Sequence, residues 1–469
     1  MPLLSNLRST FRGGYDSSLI GSALLGILIK SVSTMATFSV VVLLARSLGP
    51  TKYGTYVFAL TLVSLIALPL QSGLSYLVVR ETAKLCLPKD LTVFTKLLKW
   101  ARGRTLAIFV VAFLIGWGGW FWLARPSLVV PGERSGVIAI GLLLILTIPL
   151  TGIQSSAVRG LGFGNLGQVP DLFVRHLSFL GLLILVLSLV SKQKDGALDP
   201  MLVMGLHVLG SAIACLVATV FLRRAAARVI KAANTEPETS NSNAMAKSDA
   251  STWQLASLAL FSVAGLQLLN SSLDVVFLGW LRGDTEVGLY RVLVQMGTLV
   301  SFGLMAINPV LHGRFARLYA NGEMVAMQRM VTHGVVMCLL VAILPMLVLF
   351  SYGAPVLGWL FGVEYAAQGA ALKIILLGQL ANVAFGAVGA LLNMTGHQAD
   401  TVRGMMIAVL LNLVLNLALI PSYGIVGAAL ATAVSTALWN ALLWHIVWKR
   451  LKIDSSILGA GWRRHIAAE

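Results

Sequence analysis

Residues 49–56 read GPTKYGTY, and residues 283–290 read GDTEVGLY. Gly49, Gly54 and Tyr56 fall on Gly283, Gly288 and Tyr290 at a constant offset of 234 residues, and Arg80 falls on Arg314 at the same offset. The matches share one ungapped register. In each copy the phrase opens a long apolar run, and the arginine lies where that run ends. Self-similarity of this kind marks an internal repeat, so the chain reads as two halves with one architecture.

Composition says what the halves are made of. Of 469 residues, 57% are hydrophobic and 11% charged, with a mean hydropathy of +0.86. Soluble domains run to about half apolar and about a quarter charged. Apolar runs long enough to cross a ~30 Å hydrocarbon core recur along the whole length. Twelve spans are read, near 20–44, 55–79, 105–124, 136–158, 171–191, 200–222, 253–281, 287–311, 331–351, 369–393, 402–420 and 426–448. The expected fold is therefore all-α: a polytopic membrane protein of about twelve transmembrane helices in two six-helix bundles. Six spans per repeat is an even number, so both copies enter the membrane in the same direction. A pseudo-two-fold axis along the membrane normal is expected to relate them, with a substrate path between. Residues 1–222 form the first bundle and 253–448 the second. The low-complexity stretch 223–252 reads as a flexible cytoplasmic linker, and 449–469 as a basic cytoplasmic tail.

The net charge of +17 follows the same topology. Lys and Arg concentrate in the even-numbered loops and at both termini, which the positive-inside rule places in the cytoplasm. Anionic membrane lipids, rather than nucleic acid, are the partners such a distribution serves. The first apolar run is too long for the core of a signal peptide. In loop 80–104, Val93, Phe94, Leu97, Leu98 and Ala101 share a face opposite Lys96, Lys99 and Arg102, which predicts an interfacial amphipathic helix. Residues 352–368, the longest loop on the other side, are apolar and aromatic and are expected to lie along the interface.

The polar residues inside spans are the candidates for function. In the first span Gly26, Lys30, Ser33, Thr34 and Thr37 recur at three- and four-residue spacing. In the seventh, Gln267, Asn270, Ser271 and Asp274 do the same, and the offset places Ser33 and Thr37 on Gln267 and Ser271. Small and polar residues also serve helix packing. An ionisable group in lipid costs several kcal/mol, ~3 by insertion scales, and normally faces a bundle interior or wet cavity. Lys30 has two placements consistent with that cost: a central cavity, or snorkelling to the inner headgroups. Arg291, Gln295 and Thr298 share a face of the eighth span, where Arg291 is placed either to meet a substrate anion or to pair with Asp284 or Glu286. Lys373 opens the tenth span as a cavity cation or an interface anchor. Arg175 stands four residues from Asp171, spacing for a local ion pair. Asn412 and Asn416 share a face and are expected to bond across helices.

No catalytic constellation is present: no His-x-x-x-His pair, no phosphate-cradling loop, no paired carboxylates on an outer loop, and three cysteines without metal or disulfide spacing. The chain is read as a non-enzyme without a cofactor.

The phrases ARSLGPTKYGTYVFAL (45–60) and GLSYLVVRETAKL (73–85) resemble bacterial polysaccharide-biosynthesis proteins. So do AVRGLGFGN (157–165), DTEVGLYRVLVQM (284–296) and PSYGIVGAALATAVS (421–435). These are the Wzx-type flippases of lipid-linked oligosaccharides, in the superfamily that holds the multidrug extruders and the lipid II flippase. The resemblance covers nearly the whole chain. It implies two six-helix bundles around a cavity that opens alternately to either side of a bacterial inner membrane. Its implied cargo is a polyprenyl-pyrophosphate-linked glycan, with a polysaccharide polymerase and glycosyltransferases as neighbouring partners. The intramembrane tally of Lys30, Arg175, Arg291 and Lys373 against Asp274 alone suits that anion, whereas an extruder of cationic drugs calls for carboxylates. Two alternatives stand beside this reading: a cation-coupled multidrug extruder of the same superfamily, and a non-transporting component of a glycan-assembly complex. A coupling ion, H⁺ or Na⁺, is not named by any residue.

Overall fold

The computed structural model describes residues 17–83, 85, 90–123, 132–190, 198–233, 250–457 and 459. Among these there is no strand. Bilayer physics requires this outcome for an open chain, because every backbone N–H and C=O must be satisfied within its own segment. The first lobe comprises α1 (Ser17–Pro69), a π-turn (Leu70–Leu74), α2 (Ser75–Thr82), α3 (Leu91–Leu123), α4 (Gly132–Gly141), α5 (Leu144–Gly160), α6 (Gly164–Gln168), a second π-turn (Val169–Val174), α7 (Arg175–Val190) and α8 (Pro200–Ala233). The second comprises α9 (Ala250–Leu281), α10 (Asp284–Ala320), α11 (Met324–Phe361), α12 (Val363–Ala366), α13 (Gly369–Phe385), α14 (Val388–Met394) and α15 (Gln398–Leu451).

Eight described helical stretches are long and apolar enough to cross a membrane. Two of them, α1 and α15, are bent at Gly49 and Gly424, where φ is positive. The 42-residue stretch Leu28–Pro69 of α1 spans ~63 Å at ~1.5 Å per residue, enough to cross twice. With both arms of α1 and of α15 counted, and with the long helices α3 and α9 added, the described residues accommodate the twelve crossings expected.

The repeat is visible in the backbone itself. Gly49 has φ 71° and ψ 173°, and Gly283 has φ 101° and ψ 178°. Gly162 and Gly396, also one repeat apart, have φ 94° and 85°. Only glycine adopts such angles without strain. Gly54 and Gly288 lie on the pseudo-two-fold itself. A Cβ on Gly54 would sit 1.7 Å from the Asp284 carbonyl oxygen, and one on Gly288 would sit 2.0 Å from that of Pro50. Each glycine would also approach the other's backbone nitrogen, at 2.9 and 3.0 Å. Thr51 and Thr285, again one repeat apart, share a hydrogen bond of 2.9 Å between their hydroxyls. The contact is isologous, the same patch meeting its own copy.

Three expectations are corrected. The segment before the third span is the first turns of α3 and not a separate interfacial helix. Phe94, Leu97, Leu98 and Ala101 are buried, and Leu97 packs with Leu77 and with Trp253 of the other lobe. Residues 352–368 are not a loop but the last turns of α11 followed by α12, with Tyr352, Trp359 and Val363 exposed. Phe361 and Tyr365 are buried across the seam, Phe361 edge-on to Phe38 at 6.3 Å and Tyr365 donating to the Ala45 carbonyl at 3.4 Å. In the stretch 223–252, α8 continues to Ala233 and α9 begins at Ala250. The remaining 234–249, like 460–469 of the tail, lie outside the described residues.

Candidate functional site at the seam between the lobes

The lobes meet chiefly where α10 packs on α1. Lys30 is half-buried there, and its Nζ donates to the Met305 carbonyl of α10 at 3.0 Å. Residue 309, four positions on, is a proline without an N–H to offer that carbonyl. The lysine therefore fills a hydrogen bond that the helix cannot make. Its ammonium reaches the other lobe.

The rest of the first stripe does not share that direction. Ser33 is buried and its hydroxyl lies 3.4 Å from His176 Nδ1 on α7, within its own lobe. Thr34 and Thr37 donate back to the Lys30 and Ser33 carbonyls, both at 2.9 Å. The second stripe divides as well. Gln267 and Ser271 are exposed, Ser271 donating to the Leu268 carbonyl at 2.9 Å, and Asn270 is half-buried with Oδ1 unpartnered. The offset partners Ser33 and Gln267 thus occupy different environments, and a single continuous face is not formed. Side-chain spacing placed them on one arc of each helix, but the neighbours around each helix differ.

Asp274 turns into the second lobe and is 2% exposed. Its carboxylate accepts from Tyr290 Oη at 2.9 Å, Thr432 Oγ1 at 2.5 Å, Asn416 Nδ2 at 2.7 Å and Asn412 Nδ2 at 3.2 Å. Asn416 also donates to Asn412 Oδ1 at 2.9 Å, and Asn412 to Ser435 Oγ at 3.2 Å. The expected bonding of the two asparagines is present, with Asp274 as its hub. Four donors aimed at one buried carboxylate are what make its burial affordable. Tyr290 was legible only as a repeat residue. Its counterpart Tyr56 bonds His207 Nδ1 at 2.8 Å, and His207 stacks on Phe179 at 4.6 Å. Each repeat tyrosine thus anchors a polar network inside its own lobe.

Arg291 does not pair with Asp284 or Glu286. Glu286 takes Arg282 at 2.9 Å. Asp284 takes Arg134 of the first lobe, whose Nε donates at 2.6 Å and whose Nη2 completes the pair, and it accepts from Thr55 at 2.7 Å. Arg134 also donates to the Gly279 carbonyl at 3.2 Å and lies 4.9 Å over the Phe58 ring. Arg291 is half-buried, close enough to Tyr53 and Tyr56 for its charge to act on both, and Gln295 is buried one turn beyond. Lys373 stands apart, exposed, 5.3 Å over Phe350. Arg175 pairs with Asp171 at 3.2 Å as expected.

Arg134 and Asp284 tie the lobes at the end that holds Gly54 and Gly288. Arg134→Gln is expected to cost about 3 kcal/mol, at the low end for removing one partner of a buried pair because both side chains retain some exposure. Melting temperatures in detergent of this variant, Asp284→Asn and the double variant form the check. The double variant should lose less than the sum of the singles; simple additivity would mean the pair contributes nothing.

These features define a multi-pass membrane protein of two pseudo-symmetric helical lobes, with polar networks at and behind their seam. The polysaccharide biosynthesis protein family matches residues 21–319, and the chain belongs to that family. A probable low-salt glycan biosynthesis flippase, Agl15 of Haloferax volcanii, is 28% identical over 41% of this chain and 41% of its own. An uncharacterised membrane protein of Methanocaldococcus jannaschii is 26% identical over 38% of this chain and 36% of its own. The chain thus matches about two fifths of the length of these curated relatives. Two solved structures share the fold over nearly the whole chain. The lipid II flippase MurJ, in an inward closed conformation, has TM-score 0.67 at 14% identity, covering 90% of this chain and 87% of that one. An inward-facing multidrug resistance MATE transporter of the MOP superfamily has TM-score 0.66 at 12% identity, covering 92% and 98%.

Proposed function

We propose that the protein is a flippase that carries a polyprenyl-pyrophosphate-linked oligosaccharide from the inner to the outer leaflet of the cytoplasmic membrane, for cell-surface polysaccharide, by alternating access. One observation carries the reading. At the seam the lobes present Lys30 and Arg291, while the buried acid Asp274 is withdrawn into its own lobe and fully hydrogen-bonded. A cationic seam suits an anionic headgroup, and a cationic drug would meet repulsion there. Family membership and the name of the Agl15 relative support the glycan cargo.

With both termini cytoplasmic, as the basic loops favour, the end holding Gly54, Gly288 and the Arg134–Asp284 pair is the outer one. The protein is then closed to the outside. The glycan enters from the cytoplasm, Lys30 exchanges the Met305 carbonyl for pyrophosphate oxygen, the polyprenyl chain stays in lipid, and the outer contacts part. Of the polar residues singled out within the spans, Lys30, Arg291 and Gln295 are the ones this reading takes as substrate contacts.

The test uses cells that depend on this chain for surface glycan. Lys30→Glu is expected to cut surface glycan at least about tenfold, with lipid-linked glycan accumulating and protein level unchanged, and Lys30→Arg to retain most of it. Loss of one charge-assisted hydrogen bond to a phosphate, ~1.5–3 kcal/mol, sets that scale. Full export in Lys30→Glu would remove the lysine from the mechanism. Raised resistance to cationic dyes on expression, with no glycan phenotype, would favour the drug extruder.

A further inference from the structure

We propose that the first lobe carries a second oxyanion site, away from Lys30, in a cavity of about 210 Å³ between α2 on one side and α5, the second π-turn and α7 on the other. Ser75, Tyr76, Gly152, Arg159, Asp171 and Arg175 line it. Such a volume holds a phosphate group or a sugar ring, well beyond the one water that the smallest polar cavities accept.

Two polar atoms that line it have no protein partner. Ser75 is 9% exposed and its hydroxyl is buried without a hydrogen bond. Arg175 Nε is likewise buried and unpartnered, although its Nη2 pairs with Asp171. Buried groups of this kind are normally satisfied. Gly152 keeps the space beside the serine open, since a Cβ there would come within 3.0 Å of Ser75 Oγ. Arg159, exposed at the rim, donates to Ser156 Oγ at 2.7 Å through one Nη and has further N–H groups to turn inward. Tyr76 is 56% exposed at the mouth, where its ring offers a stacking face.

Two guanidiniums against one carboxylate leave the cavity with a net positive charge. A guanidinium fork matches the paired oxygens of phosphate and carboxylate better than it matches water. The arrangement therefore takes an oxyanion, with Ser75 donating a third hydrogen bond and Asp171 giving up part of its hold on Arg175. Two sources share that chemistry: the diphosphate of an isoprenoid carrier and the carboxylate of an acidic sugar. The site goes beyond the transport reading and does not depend on it, because occupancy is measured on purified protein.

The experiment is calorimetric titration of the detergent-solubilised full chain in a Lys30→Gln, Arg291→Gln background, which removes both seam cations and so separates this cavity from the seam. Geranyl diphosphate, methyl glucuronide and neutral methyl glucoside are the probes. At least one of the two anions is expected to bind and the neutral glycoside is not; the diphosphate arm identifies a carrier headgroup and the glucuronide arm an acidic sugar. Arg175→Gln and Arg159→Gln are expected to weaken binding at least about tenfold, Ser75→Ala to weaken it less, and Asp171→Asn to tighten it severalfold. The opposite sign for Asp171→Asn guards against mere misfolding of the arginine variants. Binding of neither anion, unchanged affinity in both arginine variants, or equal affinity for the neutral glycoside would overturn the site. A wild-type response here together with full export by Lys30→Glu would leave the cavity standing and the seam mechanism fallen.

Discussion

Replacing Gly288 by valine is expected to prise the lobes apart at the Gly54 end and to cut glycan export at least about tenfold. The Cβ would lie 2.0 Å from the Pro50 carbonyl oxygen, and the obstructing atom is helix backbone, which cannot rotate away. Overpacking typically costs ~1–3 kcal/mol, and each ~1.4 kcal/mol is a factor of ten in the closed population. Gly54→Val should behave alike, because its own Cβ would meet the Asp284 carbonyl at 1.7 Å. The closed contact can be read directly with Thr51→Cys and Thr285→Cys introduced together in a background lacking the three native cysteines. Their hydroxyls touch at 2.9 Å, within disulfide reach. A protease site placed in 234–249 lets a non-reducing gel show whether the halves stay joined. Rapid crosslinking in the parent and slow crosslinking in Gly288→Val are expected, and the crosslinked parent should stop exporting until reduced. Equal crosslinking rates would mean that close backbone approach is not what holds this end shut.

Asp274→Ala is expected to cost about 3–5 kcal/mol of stability, the scale for removing one member of a buried charged network. Tyr290, Thr432, Asn412 and Asn416 would all lose this acceptor and keep only the bonds among themselves and to Ser435. Asp274→Asn should be milder, since it keeps an acceptor oxygen for the two hydroxyls while turning an NH₂ group toward the asparagine donors. Melting temperature in detergent is the measurement, with the Tyr290→Phe variant as the small-effect comparison. It removes one donor and leaves the other three in place. A melting temperature unchanged in Asp274→Ala would show that the network does not hold the second lobe together.

The fold was legible because the bilayer leaves few choices. Length of apolar run, evenness of span number and one repeated phrase are enough to specify two six-helix lobes. The site was legible only in pieces. Lys30 was found because a cation in an apolar run is costly wherever it points, but its partner is a backbone carbonyl, and only Pro309 hints at it in the sequence. Asp274 was found for the same reason and assigned to the wrong side of its helix. Periodicity gives an arc and not the neighbour that covers it. Arg134 and Asp284 come from span ends 150 residues apart, where charge is ordinary and the sequence gives no reason to join them. Phe361 and Tyr365 read as loop aromatics because an apolar loop and a buried strap have the same composition.

The contact between Gly54 and Gly288 has the form of an interface between two identical subunits. A six-helix chain with a single copy of the phrase would meet its twin there, about an axis normal to the membrane. Joined by 234–249, the two copies associate as one molecule, and the encounter no longer depends on how many chains the membrane holds. Within one chain each copy serves a single position and can differ from the other. At the axis the partners remain glycine to glycine and threonine to threonine, whereas two residues beyond each glycine the shared tyrosine meets a histidine in one lobe and an aspartate in the other.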